Sequence, residues 1–142
     1  MDTKVIPSFI VICTLSLLAC KKDEITNPNA PAEIQGTWTG YELQGNPGAW
    51  TLQINGSALN SSGPGEWYKG SVSAKAETNP KEVDFVVSEC SVPQYVGKTS
   101  LGIYKIAGDT LTISENEPGI NERPTSFRVS FDNRVFVFLK QR

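Results

Sequence analysis

The sequence predicts an all-β fold: one small domain of eight short antiparallel strands closing as an up-and-down barrel. Two observations carry this. Apolar and polar residues alternate with a period of two in short runs, as in Trp50-Thr51-Leu52-Gln53-Ile54 and Val83-Asp84-Phe85. Between the runs stand turn residues such as Gly108-Asp109 and Asn79-Pro80, and no stretch carries a convincing helical pattern. Short strands and turns alone allow a barrel or a sandwich. A closed meander is favoured because it leaves no exposed edges and needs no covering helix.

The clearest element is a hairpin over Leu101–Ser114. Ile103, Tyr104 and Ile106 form a β-rich run, and Leu111 and Ile113 alternate with Thr110, Thr112 and Ser114. Gly108-Asp109 joins them, glycine accepting the positive φ that two-residue hairpin turns require. In chain order, a first strand opens at Ile34–Gly40 and continues through Tyr41 and Leu43. The second runs Trp50–Ile54, the third Glu66–Ala74 and the fourth Val83–Ser88. The hairpin supplies the fifth and sixth. Phe127–Phe131 reads as the seventh, and Val135–Lys140 as the eighth after a turn at Asp132-Asn133. Asn55–Gly65, dense in Gly, Ser, Asn and Pro, reads as a long loop, as do Cys90–Lys98 and Glu115–Glu122.

Composition narrows function. The chain has 142 residues, a formal net charge of −2 and no basic tract, so nucleic acid is not an expected partner. It has no histidine, which removes the usual general base and the commonest metal ligand. The Asp and Glu residues are scattered, and none form a pair close enough in sequence to act as acid and base. No catalytic residue, metal site or cofactor is therefore expected.

The first 20 residues read as an address. Lys4 gives a weakly basic start, and a short apolar run from Val5 to Leu18 is below the roughly 20 residues a spanning helix needs. The run ends Leu17-Leu18-Ala19-Cys20, which resembles the lipobox of bacterial lipoproteins. The resemblance implies a signal peptide over residues 1–19, lipidation of Cys20, and anchoring to the outer membrane, periplasmic or surface-exposed. Lys21-Lys22-Asp23-Glu24 resembles a surface-export run and reads equally as solvated linker. Residues 20–33, rich in Asn, Pro and Ala, read as a flexible tether to a domain over 34–142. Cys13 leaves with the signal and Cys20 is capped, so Cys90 remains as a free thiol, read as inert beside Glu89.

Within the domain, Gly36-Thr37-Trp38, Pro80-Lys81-Glu82-Val83-Asp84, Gly102-Ile103-Tyr104, Gly108-Asp109-Thr110-Leu111 and Arg123-Pro124-Thr125-Ser126-Phe127 follow in order. Together they resemble an uncharacterised lipocalin-like domain family first recognised in planctomycetes. The resemblance spans nearly all of residues 34–142 and implies a small β-barrel with no established activity. In lipocalin-like barrels the tryptophan of such an opening motif closes the floor against a late basic side chain. The resemblance casts Trp38 in that part, with Arg134, Lys140 or Arg142 as partner.

Three residues are singled out as ligand contacts or structural anchors: Trp38, Tyr104 and Arg123. Tyr104 either places its hydroxyl at a barrel mouth or packs inside. Arg123 either clamps an anion or ties its loop to Asp109 or Glu122. Lys81 and Asp84 read as a solvated strand face. The function expected is an envelope lipoprotein binding a small apolar or amphipathic ligand. The alternative is an interaction or inhibitor module presenting Asn55–Gly65 and Glu115–Glu122 to another protein. An open interior favours the first and a filled core the second.

Overall fold

The computed structural model describes residues 29–142, so the signal peptide, Cys20 and most of the tether lie outside the described residues. Eight strands form one closed antiparallel barrel: β1 (Gly36–Leu43), β2 (Trp50–Asn55), β3 (Ala58–Gly63), β4 (Glu66–Lys75), β5 (Lys81–Cys90), β6 (Thr99–Ala107), β7 (Thr110–Asn116) and β8 (Asn133–Lys140). Each strand pairs with its neighbours in sequence, and β8 returns to β1 through Trp38↔Lys140 to Leu43↔Val135. The up-and-down barrel read from alternation is the fold observed.

The alternation sorts side chains by face. Trp50, Leu52 and Ile54 of β2 and Val83, Phe85 and Val87 of β5 are buried inside. Thr51, Gln53, Asn60, Ser62 and Lys69 hold the intervening positions of β2–β4 and look outward. Polar outside and apolar inside is the reverse of a transmembrane barrel, whose apolar residues face lipid.

Two strands differ from the sequence reading. Asn55–Gly65 is not a loop: it holds β3, paired to both β2 and β4. Its ends are tight turns, with Asn55 opposite Ala58 and Gly63 opposite Glu66. Gly56 and Gly65 take positive φ in them (64° and 80°). Small residues hide the strand's alternation, since Leu59, Ser61 and Gly63 face inward against Ala58, Asn60 and Ser62. Conversely, Phe127–Phe131 is not a strand. The barrel already closes through β7–β8 and β8–β1, which leaves that run no ladder to join. Residues 117–132 instead form a strap across the outer surface, and Phe131 ends fully exposed.

The strap is held by side chains. Asn133 accepts from the Ser130 backbone N–H at 2.6 Å and donates to the Arg128 carbonyl and Ser114 Oγ at 2.9 and 2.7 Å. So Asn133 is a buried strand residue, not part of an exposed turn. Beneath the strap, Ile103 and Val135 point outward yet are fully buried, forming a small second core.

Candidate functional site: a chamber at the open end of the barrel

The two ends of the barrel differ. One is plugged by residues that the sequence reading divides between the tether and the first strand. Pro31 leads into a 3-10 turn, Ala32–Ile34, and Ile34 and Ala30 are buried. Gln35 fastens the plug to the β2–β3 turn. Its amide donates to the Gly56 carbonyl at 2.9 Å and accepts from the Gly56 N–H at 2.8 Å. Trp38 is fully buried above the plug and donates Nε1 to the Ile34 carbonyl at 3.0 Å. Of the three late basic residues, Lys140 stands over its ring, at 5.0 Å.

Tyr104 belongs to this closed end, not to a mouth. Its hydroxyl donates to Glu33 at 2.7 Å, and Lys81 binds the same carboxylate at 2.8 and 2.9 Å. The hydrogen bond from Lys81, then that from Tyr104, holds Glu33 below the ordinary carboxylate range. Burial, then the Glu33 carboxylate, pushes the Tyr104 phenol up, so it stays a donor. Lys81 is thus an inward-facing anchor of the plug and not part of a solvated face. Ile54, Val72, Val83 and Leu111 fill the barrel's lower half.

Arg123 lies on the outer wall and does not reach the interior. It pairs with Asp84 at 2.7 Å and Glu82 at 3.8 Å, and Nη1 donates to the Val83 carbonyl at 3.2 Å. It ties the strap to β5 as an anchor, with Asp84 and Glu82 in place of Asp109 or Glu122. Asp84 is therefore also occupied and not merely solvated. Cys90 is partly buried, and its thiol donates to the Val92 carbonyl at 2.9 Å.

The upper half of the barrel is open. A chamber of about 510 Å³ descends from the mouth, within the range of small-molecule sites. Its lower wall is apolar: Leu52, Leu59, Phe85, Ile113, Phe136 and Phe138. Trp50 stands edge-on to Phe136 at 5.2 Å, which stacks on Phe138 at 5.8 Å. Space for the Trp50 indole comes from Gly63, where a Cβ would strike the ring. The Trp50 indole N–H is buried with no acceptor among the protein's groups. Ser61, small and inward on β3, helps leave the volume unfilled.

The upper wall is charged. Arg134 of β8 bonds Glu42 of β1 through Nε and Nη2, both at 2.7 Å, and Glu66 of β4 through Nη1 at 3.0 Å. Its guanidinium also stacks over Trp50 and Phe136, at 5.0 and 5.1 Å. The sequence reading offered Arg134 to Trp38; it sits at the opposite end, over a different tryptophan. The Ser100 hydroxyl donates to the Asn116 carbonyl at 2.6 Å and lies 3.3 Å from the Glu115 carboxyl of β7, and Glu117 accepts from Tyr95 at 3.0 Å. Burial pushes the Glu115 carboxyl up to about 7, against the pull of Arg134 and the Ser100 hydroxyl. Among the described residues no group of three His, Cys, Asp or Glu side chains is placed to hold a metal ion.

No protein-family model, curated protein or solved structure matches this chain. The chamber therefore speaks through its own chemistry. Sequence reasoning places Trp50, Leu52, Phe85 and Ile113 in alternating strands but singles out Trp38, Tyr104 and Arg123, none of which lines the chamber, and it does not single out Glu42, Glu66 or Glu115. The partners of Arg134 lie 92 and 68 residues away in sequence, and only barrel closure brings them together.

Proposed function

We propose that this protein is a lipid-anchored bacterial envelope protein whose barrel holds one small amphipathic molecule, apolar part inward and polar end at the mouth. The carrying observation is the half-filled interior. The plugged end is occupied by buried apolar side chains, whereas the open end keeps about 510 Å³ bounded by apolar walls below and charged groups above. An eight-stranded barrel can be filled by its own side chains or can hold one small ligand. The lipobox-like Leu17-Leu18-Ala19-Cys20 supports the anchor, and the ordered motifs support membership of the lipocalin-like family. The test is calorimetric titration of the purified chain with 1-octanol, beside a Ser61→Phe variant that fills the chamber from β3. Saturable one-to-one binding, lost in the variant, is expected. Equal heats in both proteins would sink the chamber reading.

The interaction-module reading keeps one observation in its favour: Phe131 is fully exposed on the strap, and Val96 is exposed on a loop at the open end. Phe131→Asp abolishes partner binding under that reading and leaves octanol binding untouched under ours.

A further inference from the structure

The charge arrangement at the mouth narrows the ligand class, an inference that rests on the chamber reading above. Among the described residues, four carboxyl side chains line the chamber, those of Glu42, Glu66, Glu115 and Glu117, against a single cation, Arg134. That cation is already paired with two carboxylates. All three guanidinium nitrogens contact Glu42 or Glu66, and its face is stacked on two aromatic rings. An incoming carboxylate or phosphate would find no free cation in the wall and would meet like charges in a partly desolvated space. A cation meets the opposite situation. Glu115 is the last inward residue of β7, and Glu117 follows two residues on at the rim, where the strap begins; Ser100 reaches the first at 3.3 Å and Tyr95 donates to the second at 3.0 Å. Their remaining oxygen lone pairs are free to accept from an ammonium group. Below them the wall turns apolar at Ile113, Phe136 and Phe138.

We infer that the chamber selects amphiphiles whose polar end is a cation, such as a primary alkylammonium, and discriminates against fatty-acid anions of the same chain length. The selectivity lies in the Glu115–Glu117 edge of the mouth. Glu42 and Glu66 share the single positive charge of Arg134 and set the shape of the opening.

The probes are octylammonium, 1-octanol and octanoate, each below its micelle concentration, titrated calorimetrically into the purified chain at pH 7.5. Octylammonium is expected to bind at least about tenfold tighter than octanoate, a difference of about 1.4 kcal/mol, with octanol between them. In a Glu115→Gln/Glu117→Gln double variant the octylammonium-to-octanoate ratio should fall towards one, and a circular dichroism spectrum matching the parent's reports that the barrel is folded. Octanoate binding as tightly as octylammonium, with octanol binding retained, overturns the charge selectivity alone. An unchanged ratio in the double variant overturns the assignment to Glu115 and Glu117. Binding of none of the three overturns the chamber reading and this inference together.

Discussion

Replacing Glu115 with glutamine should make the protein more stable in alkaline solution and leave it unchanged in acid. Glu115 lies on the inner wall of β7, facing Ser100 on β6, with Arg134 of β8 and Glu42 of β1 acting on its charge. Burial raises its folded-state pKa to about 7 from 4.5, so the folded state binds the proton more tightly than the unfolded chain does. The sign follows from that inequality. Below about pH 4.5 both states are protonated and the side chain has no pH-dependent effect. As pH rises, ionisation is easier in the unfolded chain, so stability falls. The loss reaches about 1 kcal/mol by pH 5.5 and levels off at about 3 kcal/mol above pH 8. Glutamine keeps the shape, can still accept from Ser100 and cannot ionise. Urea unfolding of both proteins at pH 4.5, 6 and 8 reads the difference as a separation of midpoints at constant slope. A gap that opens with pH is expected. A gap of constant size, or one that closes as pH rises, would refute the claim that Glu115 is a desolvated carboxyl.

Other perturbations probe the remaining parts. Trp38→Ala should cost about 3–5 kcal/mol, because a fully buried indole and its bond to the Ile34 carbonyl are lost; thermal unfolding reads it. Arg134→Met should destabilise by about 3 kcal/mol at pH 8, since it strands Glu42 and Glu66, and less at pH 5, where Glu115 is protonated and no longer needs the arginine's charge. Urea midpoints at the two pH values check that, and equal losses would contradict it. Arg123→Ala should release the strap before the barrel opens, costing about 2 kcal/mol overall. Limited proteolysis should then cut first within residues 117–132, at sites intact in the parent protein.

Much of the barrel is legible wherever large apolar residues alternate with polar ones, as in β2, β5 and the β6–β7 hairpin. Legibility fails in two places for one reason: strand identity is decided by pairing, not by composition. Ala58–Gly63 looks like a loop because its inward residues are small, yet two tight turns place it between β2 and β4. Asn55-Gly56 and Pro64-Gly65 were the available signals, two turn pairs enclosing a strand's length of chain. Phe127–Phe131 alternates well and still forms no strand, because β8 satisfies both neighbours and Asn133 captures the strap's backbone. The closed end was partly visible, since the Trp38 motif implies a floor. The plug was not, because Ala30 and Glu33 gain their partners Gly56 and Lys81 only after the barrel closes. The mouth was the least visible. Its chemistry depends on Glu42, Glu66, Glu115 and Arg134 arriving from four strands.

The claim on which the account depends is that a ligand's hydrocarbon enters the barrel instead of coating it. Methyl-labelled NMR spectra of the chain titrated with 1-octanol separate the two cases. Leu52, Leu59, Val87 and Ile113 line the chamber, whereas Val86 and Leu139 are exposed on the outer surface. Saturable shifts confined to the first group are predicted. Shifts confined to Val86 and Leu139, or spread over both groups without saturation, would contradict the account.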